Sequence, residues 1–596
     1  MKILRRLLPL LALVAVLPAA HADAVVNRCA ADDQPGAGTN LQAALAIGGR
    51  IGFACGAAAT IQLNCHAQIT APTTIDGGGT VTLRVDPGSP ACSSASGSVH
   101  YAAFHSVSAK PLAFKLVGLK LVGVKPPPAA VTHNLPGQLA YGSFDLALES
   151  SQVSGWLSPI SLTQGSVAAS RSTFSDNDGF VVSAPTLYVG AGTVFSNNGG
   201  TPLQSTGGAV TVADSQFSGN RTGSRLVSCT KAEIANTRFA SNSSPDAGGA
   251  LTVNCPTRIA HSTFVRNKAR SGGALYIGDA ATTTELIDVT FDSNIASADG
   301  GAISIRYETY APIPPPQLLE LHGVVFKANQ AQIGGALIFA RGALPGLVLN
   351  PRVLRAAGTQ FIDNQAAISG GAMMLTRAEA TLSRVLMSGN TAGQSGGAVA
   401  ALQPRDETLV LVNSVLTANV APFGAALAGQ GTAIVNSTLV DNAGPAVSAT
   451  GSLPSVPLLE GPSGSKPIRL LNSIVAGGAS APCGPPDAAA PYIDQGHNLQ
   501  SGGNGCGVTI LLGAPQLGPS FIPLPTSPAA HGGDDGVCAS TPVSGRDTWD
   551  SVRPYSGHCS IGAAEPNLQN IIDKTTGPVI GWIGQLMRCA CWPLRP

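Results

Sequence analysis

The stretch FDSNIASADGGAI, residues 291–303, carries the two motifs that decide the fold of this chain: Phe-x-x-Asn, and Gly-Gly-Ala followed by an apolar residue. The first motif starts at Phe174, Phe195, Phe217, Phe239, Phe264, Phe291, Phe326 and Phe361, and continues with other apolar leads at Met387, Leu416 and Leu439. The second starts at Gly207, Gly248, Gly272, Gly300, Gly334, Gly370 and Gly396, with a degenerate copy at Gly424. From Phe239 onward each Gly-Gly pair follows its lead residue by eight or nine positions, so both motifs belong to one unit that repeats every 22 to 35 residues.

The length and residue types of this unit predict one coil of a β-solenoid per repeat. Each unit contains short apolar strands such as ALTV at 250–253 and AISI at 302–305. No amphipathic helical pattern of about 10–15 residues lies between the strands, which excludes leucine-rich-repeat and βαβ architectures. We therefore predict an all-β, single-stranded, right-handed parallel β-helix with disulfide-tied ends.

Each motif residue has an expected role in such a coil. The lead Phe should point inward and stack on the Phe of the next coil, about 4.8 Å away. The Asn should sit at a bend with left-handed backbone, from which its amide can bond a neighbouring coil. The Gly-Gly pair should form a sharp corner, where a Cβ atom would not fit.

The composition restricts the class of partner. Charged residues make up 11% of the 596 residues and the formal net charge is +1, so no electrostatic attraction to nucleic acid or to anionic membranes is expected. Glycine and proline are abundant, at 71 and 44 residues, which favours many turns and short strands over helices. With four Trp and eight Tyr, aromatic platforms for stacking sugars are scarce.

The N-terminus has the pattern of an export signal. Lys2, Arg5 and Arg6 form a basic segment, residues 7–19 are apolar, and Ala20-His21-Ala22 matches a signal-peptidase site. The apolar run is too short to span a membrane comfortably. We therefore expect a secreted or cell-surface protein with a signal peptide at 1–22 and no transmembrane span in the mature chain, apart from a C-terminal tail that would serve as an anchor.

Export makes the twelve cysteines readable as disulfides, because no Cys/His spacing of a zinc site is present. Cys229 and Cys255 lie one repeat apart, which predicts a bridge between stacked coils. Near the C-terminus the expected pairs are Cys483–Cys506 and Cys538–Cys559. The pairing of Cys29, Cys55, Cys65 and Cys92 at the N-terminal end stays open, and Cys589 and Cys591 lie in the tail.

These patterns divide the chain into five segments. They are the signal peptide at 1–22, an N-terminal cap with the first coils at 23–110, the β-helix repeats at 111–480, a Cys-rich segment at 481–566 and a tail at 567–596. The tail contains scattered apolar residues, and Gly577-Pro578 argues against one continuous helix. It has two readings, a sorting or anchoring segment and a cap over the last coil.

The repeats resemble those of chlamydial polymorphic outer membrane proteins and related bacterial β-helix surface proteins. Residues 55–79, with TIDGGG at 74–79, are similar to the first segment of secreted right-handed β-helix proteins. The C-terminal block resembles the choice-of-anchor Q segment of such proteins, through Cys483, GHNL at 496–499, Cys506, LPTSPA at 524–529, Arg553-Pro554 and CSIGAAE at 559–565. The resemblance covers about residues 25 to 566 and implies an extracellular β-helix scaffold rather than a reaction.

No catalytic, metal or cofactor site is predicted, and the residues closest to a catalytic set are Asp288, Asp292, Asp299 and Arg306, with Glu308 after them. Polysaccharide lyases and glycoside hydrolases on β-helices need carboxylates on one face for calcium or for acid/base chemistry. Asp176 with Asp178 forms a second candidate pair. The competing reading is that all these residues occupy bends, where Asp is favoured by turn chemistry.

The resulting expectation is a monomeric, adhesin-like scaffold that presents a repetitive surface to an extracellular glycan or to a host or matrix protein, without cofactors and without nucleic acid. The alternative is a carbohydrate-active β-helix enzyme or a carbohydrate-binding protein. Carboxylates that face one groove beside exposed aromatics would favour the alternative. A surface of Ser, Thr and Asn would favour the scaffold.

Overall fold

The computed structural model describes residues 24–29, 38–56, 58–63, 67–85, 102–124, 138–305, 315–340, 350, 352–402, 409–444, 447–448, 466–477, 482–484, 492–555 and 557–566. The predicted signal peptide, Arg306, Glu308 and the tail at 567–596 lie outside these residues. The chain divides into two compact units, Met1–Ala184 and Pro185–Pro596. The predicted segment boundaries at 110, 480 and 566 stay predictions.

The first unit consists of parallel strands that pair with strands of the neighbouring coils. One short helix, Leu41–Ile47, precedes most of them; Asn40 caps it by accepting a hydrogen bond from the Ala43 N–H at 2.9 Å. The strands are Ala24–Val26, Gly49–Phe53, Ala59–Leu63, Ala67–Gln68, Thr73–Val85, Ala102–Ser106, Leu112–Gly123, Gln138–Glu149, Gln152–Ser154, Ile160–Ser170, Thr173–Ser175 and Phe180–Ala184.

The second unit stacks its strands in four parallel columns. The first column contains Thr186–Gly190, Ala209–Ala213, Lys231–Ala235, Thr257–Ala260, Thr283–Ile287, Gln317–His322, Arg352–Ala357, Glu379–Ser383, Leu409–Val412, Thr432–Val435, Ile468–Leu471 and Tyr492–Asp494. The second, the phenylalanine column, contains Val194–Ser196, Gln216–Ser218, Arg238–Ala240, Thr263–Val265, Thr290–Asp292, Val325–Lys327, Gln360–Ile362, Leu386–Ser388, Val415–Thr417, Thr438–Asn442, Ile474–Gly477, Leu499–Ser501 and Leu511–Leu512.

The third, or Gly-Gly, column contains Thr201–Ser205, Ser224–Leu226, Leu251–Val253, Leu275–Ile277, Ile303–Ile305, Leu337–Ala340, Met373–Thr376, Val399–Leu402, Leu427–Gly429 and Val447–Ser448. The fourth column is shorter and contains Lys268–Ser271, Ile295–Asp299, Gln330–Ile333, Gln365–Ser369 and Thr391–Ala392. All strand pairings within these columns are parallel and join consecutive coils, as in the pairing of Phe264 with Phe291 and of Leu275 with Ile303. The predicted all-β parallel β-helix is therefore confirmed.

The phenylalanine column forms the centre of the core. Seven rings stack at centroid distances of 4.6 to 5.1 Å, and every one of them is buried: Phe195, Phe217, Phe239, Phe264, Phe291, Phe326 and Phe361. The spacing equals the distance between neighbouring strands, because each ring stands on a strand that pairs in register with the next one. The inward, stacked orientation that the motif predicts is confirmed.

The motif asparagines form a continuous ladder beside these rings. Each is at most 2% exposed, and each Nδ2 donates to the Oδ1 of the next asparagine at 2.8 to 3.0 Å along Asn198, Asn220, Asn242, Asn267, Asn294, Asn329, Asn364, Asn390, Asn419 and Asn442. Nδ2 also donates to a carbonyl of the preceding coil, as from Asn267 to Phe239 O at 3.1 Å. Each side chain therefore connects three coils and satisfies its own buried amide.

The predicted left-handed backbone of these asparagines is wrong by one position. The residue before each Asn has the positive φ, for example Ser241 at 54°, Arg266 at 53° and Ser293 at 57°. The left-handed turn at that residue directs the following Asn inward, where the ladder requires its amide.

The two glycines of each Gly-Gly pair have different roles. The first has left-handed backbone, as at Gly300 with φ 61°. The second lies against the next coil: a Cβ on Gly301 would stand 2.0 Å from the carbonyl oxygen of Gly335. The corner therefore requires glycine at both positions, once for conformation and once for space.

Four disulfides lie within the described residues. Cys229–Cys255 joins adjacent coils with Cα atoms 5.6 Å apart, just past the ends of strands Ser224–Leu226 and Leu251–Val253. Cys483–Cys506 and Cys538–Cys559 also form, which confirms all three predicted pairs. The fourth bridge, Cys29–Cys55, settles a pairing that the sequence left open, whereas Cys65, Cys92, Cys589 and Cys591 lie outside the described residues.

The C-terminal segment is part of the second unit and packs on its last coils through buried polar groups. Gly562 N donates to Asn472 O at 2.7 Å and Ala563 N donates to Thr438 Oγ1 at 2.9 Å. A buried ion pair lies inside the segment, with Arg553 Nε 3.0 Å from Glu565 Oε1. Burial lowers the pKa of Arg553 and raises that of Glu565, and the attraction between the two opposes both shifts. The helix Asp535–Ala539 and the 3₁₀ turn Pro519–Phe521 belong to this segment.

Candidate functional site

Asp288 lies on an exposed turn between strands Thr283–Ile287 and Thr290–Asp292. Its backbone is left-handed, with φ 51°, and its Oδ2 is 3.5 Å from Nδ1 of His261 on the preceding coil. His261 and Gly323, at the same turn of the neighbouring coils, also have positive φ. Aspartate tolerates the left-handed backbone of a turn, so the turn alone explains why an aspartate occurs at position 288.

Asp292 and Asp299 occupy two other positions of the same coil. Asp292 ends its strand and accepts a hydrogen bond from Ser293 Oγ at 2.7 Å. Asp299 is 2% exposed in the fourth column and accepts one from Ser304 Oγ at 2.8 Å. The structure thus places the three predicted aspartates at an exposed turn, at a strand end and in a buried layer, and Asp299 meets a serine of the Gly-Gly column. Arg306 lies outside the described residues, so the four-residue set stays a prediction.

The second predicted pair lies in the first unit. Asp176 occupies the left-handed position of its coil, with φ 56°, and is exposed. The backbone N–H of Asp178 donates to Trp156 O at 2.8 Å. Both residues thus take part in the turn that follows Phe174.

The histidines of the C-terminal segment contact groups of that same segment. His497 Nδ1 is 2.9 Å from Gly532 O, and His531 Nδ1 is 3.0 Å from His558 O. His558 Nδ1 lies 2.6 Å from an oxygen of Asp535. The hydrogen bond from the Cys559 N–H, together with the His558 contact, holds the pKa of Asp535 below its ordinary value. The three histidine side chains thus connect loops near the Cys538–Cys559 bridge, which is consistent with a structural role.

A cluster that the sequence reasoning missed joins Glu285, Glu320 and His322, whose ligand atoms lie within 4.8 Å of one another. Glu285 pairs in register with Glu320 in the first column. Each glutamate already has a guanidinium partner, Arg258 at 3.0 Å and Arg355 at 3.5 Å. These cations oppose the binding of a metal ion, so the residues form a charged ladder across four coils. Glutamates at the same phase of consecutive repeats were the available sequence signal.

One cleft in the second unit has a volume of about 480 Å³. Arg225, Thr252 and Tyr276 of the Gly-Gly column line it together with Asp246 and Arg270. The three column residues are in register on consecutive coils. Such a volume falls in the range of about 300–1,000 Å³ that is typical of ligand pockets.

A smaller cleft of about 360 Å³ lies beside Trp549 of the C-terminal segment. Trp549 Nε1 donates to Ser520 O at 3.0 Å, and Arg384 pairs with Asp550 at 2.7 Å across the cleft wall. The charges of Arg384 and Asp550 neutralise each other, so this cleft has less unpaired charge than the first.

Among the described residues, no helix is long and apolar enough to cross a membrane.

Comparison with known proteins identifies the repeat. Residues 288–306 match the Chlamydia polymorphic membrane protein repeat, and this short stretch contains one copy of each motif, FDSN at 291–294 and GGAI at 300–303. No curated protein sequence matches the chain. The chain is thus a parallel β-helix in which one short stretch, residues 288–306, is similar to the polymorphic membrane protein repeat.

One solved structure with a detectable likeness is the crystal structure of the catalytic unit of thermostable GH87 alpha-1,3-glucanase from Streptomyces thermodiastaticus strain HF3-3. The sequence identity is 15% and the TM-score 0.24, over 66% of this chain and 61% of the glucanase unit. The chain therefore spans less than two thirds of that unit, and no activity is carried over from it.

Proposed function

We propose that this protein is an exported, adhesin-like β-helix scaffold that acts at the cell surface or in the extracellular space. The observation that carries the proposal is the Cys229–Cys255 bridge between two regular coils. Such structural disulfides form and persist in oxidising compartments outside the cytoplasm. The similarity of residues 288–306 to the polymorphic membrane protein repeat supports a surface location.

The repetitive interior of the coils supports a scaffold role. The asparagine ladder and the phenylalanine stack repeat the same contacts from coil to coil. Such contacts extend the β-helix and do not form one specialised site. Repeated coils present equivalent outward positions, which suits binding to an extended partner such as a glycan or a matrix protein. The predicted aspartates at turns and in a buried layer give little support to the enzyme alternative.

The location is tested by expressing the full chain in a bacterium and treating intact cells with a protease that does not enter them. We expect the protein in the medium or degraded at the surface, with Cys229 and Cys255 blocked to thiol reagents. Cytoplasmic protein with reactive thiols would contradict the proposal. Binding is tested with an array of glycans and extracellular-matrix proteins, on which the purified full chain should retain at least one ligand class.

A further inference from the structure

The cleft of about 480 Å³ opens where the fourth column begins. Arg225, Thr252 and Tyr276 occupy the middle position of their strands, and side chains at that position point away from the core. Coverage at this position increases along the column: Arg225 is exposed and Thr252 is half-buried, whereas Tyr276 is 5%, Ser304 0% and Ile338 5% exposed. Ile338 packs there with residues that include Ile333 of the fourth column. The cleft is thus the uncovered start of a layer that is closed further along the second unit.

Two arginines give the cleft its charge. Arg225 and Arg270 both line it and are both exposed. Within the described part of the chain neither side chain has an ion pair or a hydrogen bond, whereas Arg258 and Arg355 are paired with glutamates. Asp246 also lines the cleft, but it meets Arg270 through its backbone: Arg270 N donates to Asp246 O at 2.9 Å. Two unengaged guanidinium groups against one carboxylate leave an excess of positive charge.

Hydroxyl groups supply the rest of the polar lining. Thr201, Thr222, Ser244, Thr252 and Ser271 surround the arginines, together with Tyr276. Such hydroxyls both donate and accept hydrogen bonds, as sugar hydroxyls do. Pro245 and Ala247 are the remaining side chains of the lining, so the cleft offers little apolar surface to the hydrophobic side chains of a peptide.

We propose that this cleft binds an acidic saccharide, whose carboxylate or sulfate group is held by Arg225 and Arg270. A guanidinium presents two parallel donors that match the oxygens of either anion. Arg225 and Thr252 pair in register on adjacent strands, about 4.8 Å apart between Cα atoms, so a sugar whose anionic group binds Arg225 can also contact the half-buried Thr252. This inference rests on the proposed function, for which it names the class of ligand.

The test measures binding of the full chain to tetragalacturonate and to a heparin-derived tetrasaccharide. The methyl-esterified and desulfated forms of these sugars serve as uncharged counterparts, and a glutamate-rich peptide as a different anion. The variants are the double variant Arg225→Gln, Arg270→Gln, and Arg238→Gln as the matched control. Arg238 is exposed in the phenylalanine column, is not among the residues that line the cleft, and has no ion pair within the described residues. Circular dichroism and melting curves establish that each variant is folded.

We expect at least one acidic tetrasaccharide to bind, and its uncharged counterpart to bind about tenfold or more weakly. The Arg225/Arg270 double variant should lose a further factor of about ten, and Arg238→Gln should bind like the wild type. Undiminished binding by the double variant, or no binding of either acidic sugar, would overturn the cleft assignment. Preference for the glutamate-rich peptide would overturn the saccharide class. Retention of another ligand on the array would leave the scaffold proposal standing while this one fails.

Discussion

Asn267 and Asn294 occupy the same position in consecutive coils, and Nδ2 of Asn267 donates to Oδ1 of Asn294 at 3.0 Å. The backbone N–H of Asn267 donates to that same oxygen, also at 3.0 Å. Asn294 in turn donates to Phe264 O and to Asn329 Oδ1. One buried amide thus satisfies donors and acceptors on both of its neighbours, so its removal affects three coils together.

Asn294→Ala should lower the free energy of unfolding by about 3 kcal/mol or more, because each buried group left without a partner costs about 1–3 kcal/mol. Chemical denaturation followed by circular dichroism measures the change. Gln330→Ala is the matched control, since Gln330 is exposed and directly follows Asn329. Equal losses in the two variants would mean that the ladder does not stabilise the coils.

The stacked rings give a second stability prediction. Phe264→Ala and Phe291→Ala should each cost about 3–5 kcal/mol through lost burial and the cavity that remains. In a linear array of coils, this loss of stability can unfold the neighbouring coils before the other coils of the β-helix unfold. Hydrogen exchange resolves such local melting, and Phe423→Ala, at a side chain that is 52% exposed, is the control. Exchange rates like those of the wild type in both core variants would contradict the inward stack.

The Cys229–Cys255 bridge should also stabilise the coils. It closes a separation of 26 residues, and a loop of that size predicts a loss of about 3 kcal/mol in the Cys229→Ser, Cys255→Ser double variant. Non-reducing peptide mapping of exported protein should find the two cysteines in one cross-linked peptide. A free thiol at Cys229 would refute the pairing.

The repeat made most of the core predictable. Phe, Gly-Gly and Cys recur at fixed phase, and each has few physical roles in a stacked coil, so the stack, the corner and the Cys229–Cys255 bridge followed from spacing. The left-handed position did not follow, because residues as different as Ser241, Arg266 and Ala328 occupy it and no residue type marks it. The constant spacing of the Asn therefore led to the prediction that the Asn itself has the left-handed backbone.

The cleft could not be predicted for a related reason. Arg225 and Arg270 stand at different phases of their repeats, and neither belongs to a motif. They line one cleft because the fourth column begins at strand Lys268–Ser271, which leaves the outward side of Arg225 and Thr252 uncovered. The position at which the fourth column starts depends on packing between coils, so the sequence of a single repeat does not predict it.

The first unit provides a pH prediction. A hydrogen bond from Lys115, whose Nζ is 2.8 Å from the carboxylate, holds the pKa of Glu149 below its ordinary value of 4.5, and Arg171 adds to the effect. When the pKa of a carboxyl group is lower in the folded than in the unfolded protein, its ionised form stabilises the fold. This stabilisation is complete at pH values above the unfolded pKa, and it is lost as the pH falls through the folded pKa. The melting temperature of the wild type should therefore exceed that of Glu149→Gln at pH 6, and the gap should narrow below about pH 4. A gap that is constant with pH would contradict the ion-pair account.

The central claim, that this β-helix binds extracellular ligands and does not cleave them, is tested most directly by a turnover assay. The purified full chain is incubated with pectin, polygalacturonate and alginate, with and without calcium, and reducing and unsaturated ends are measured. We predict no release above buffer, both for the wild type and for an Asp292→Ala, Asp299→Ala double variant. Ends released by the wild type and not by the double variant would contradict the scaffold account and assign the aspartates a catalytic role.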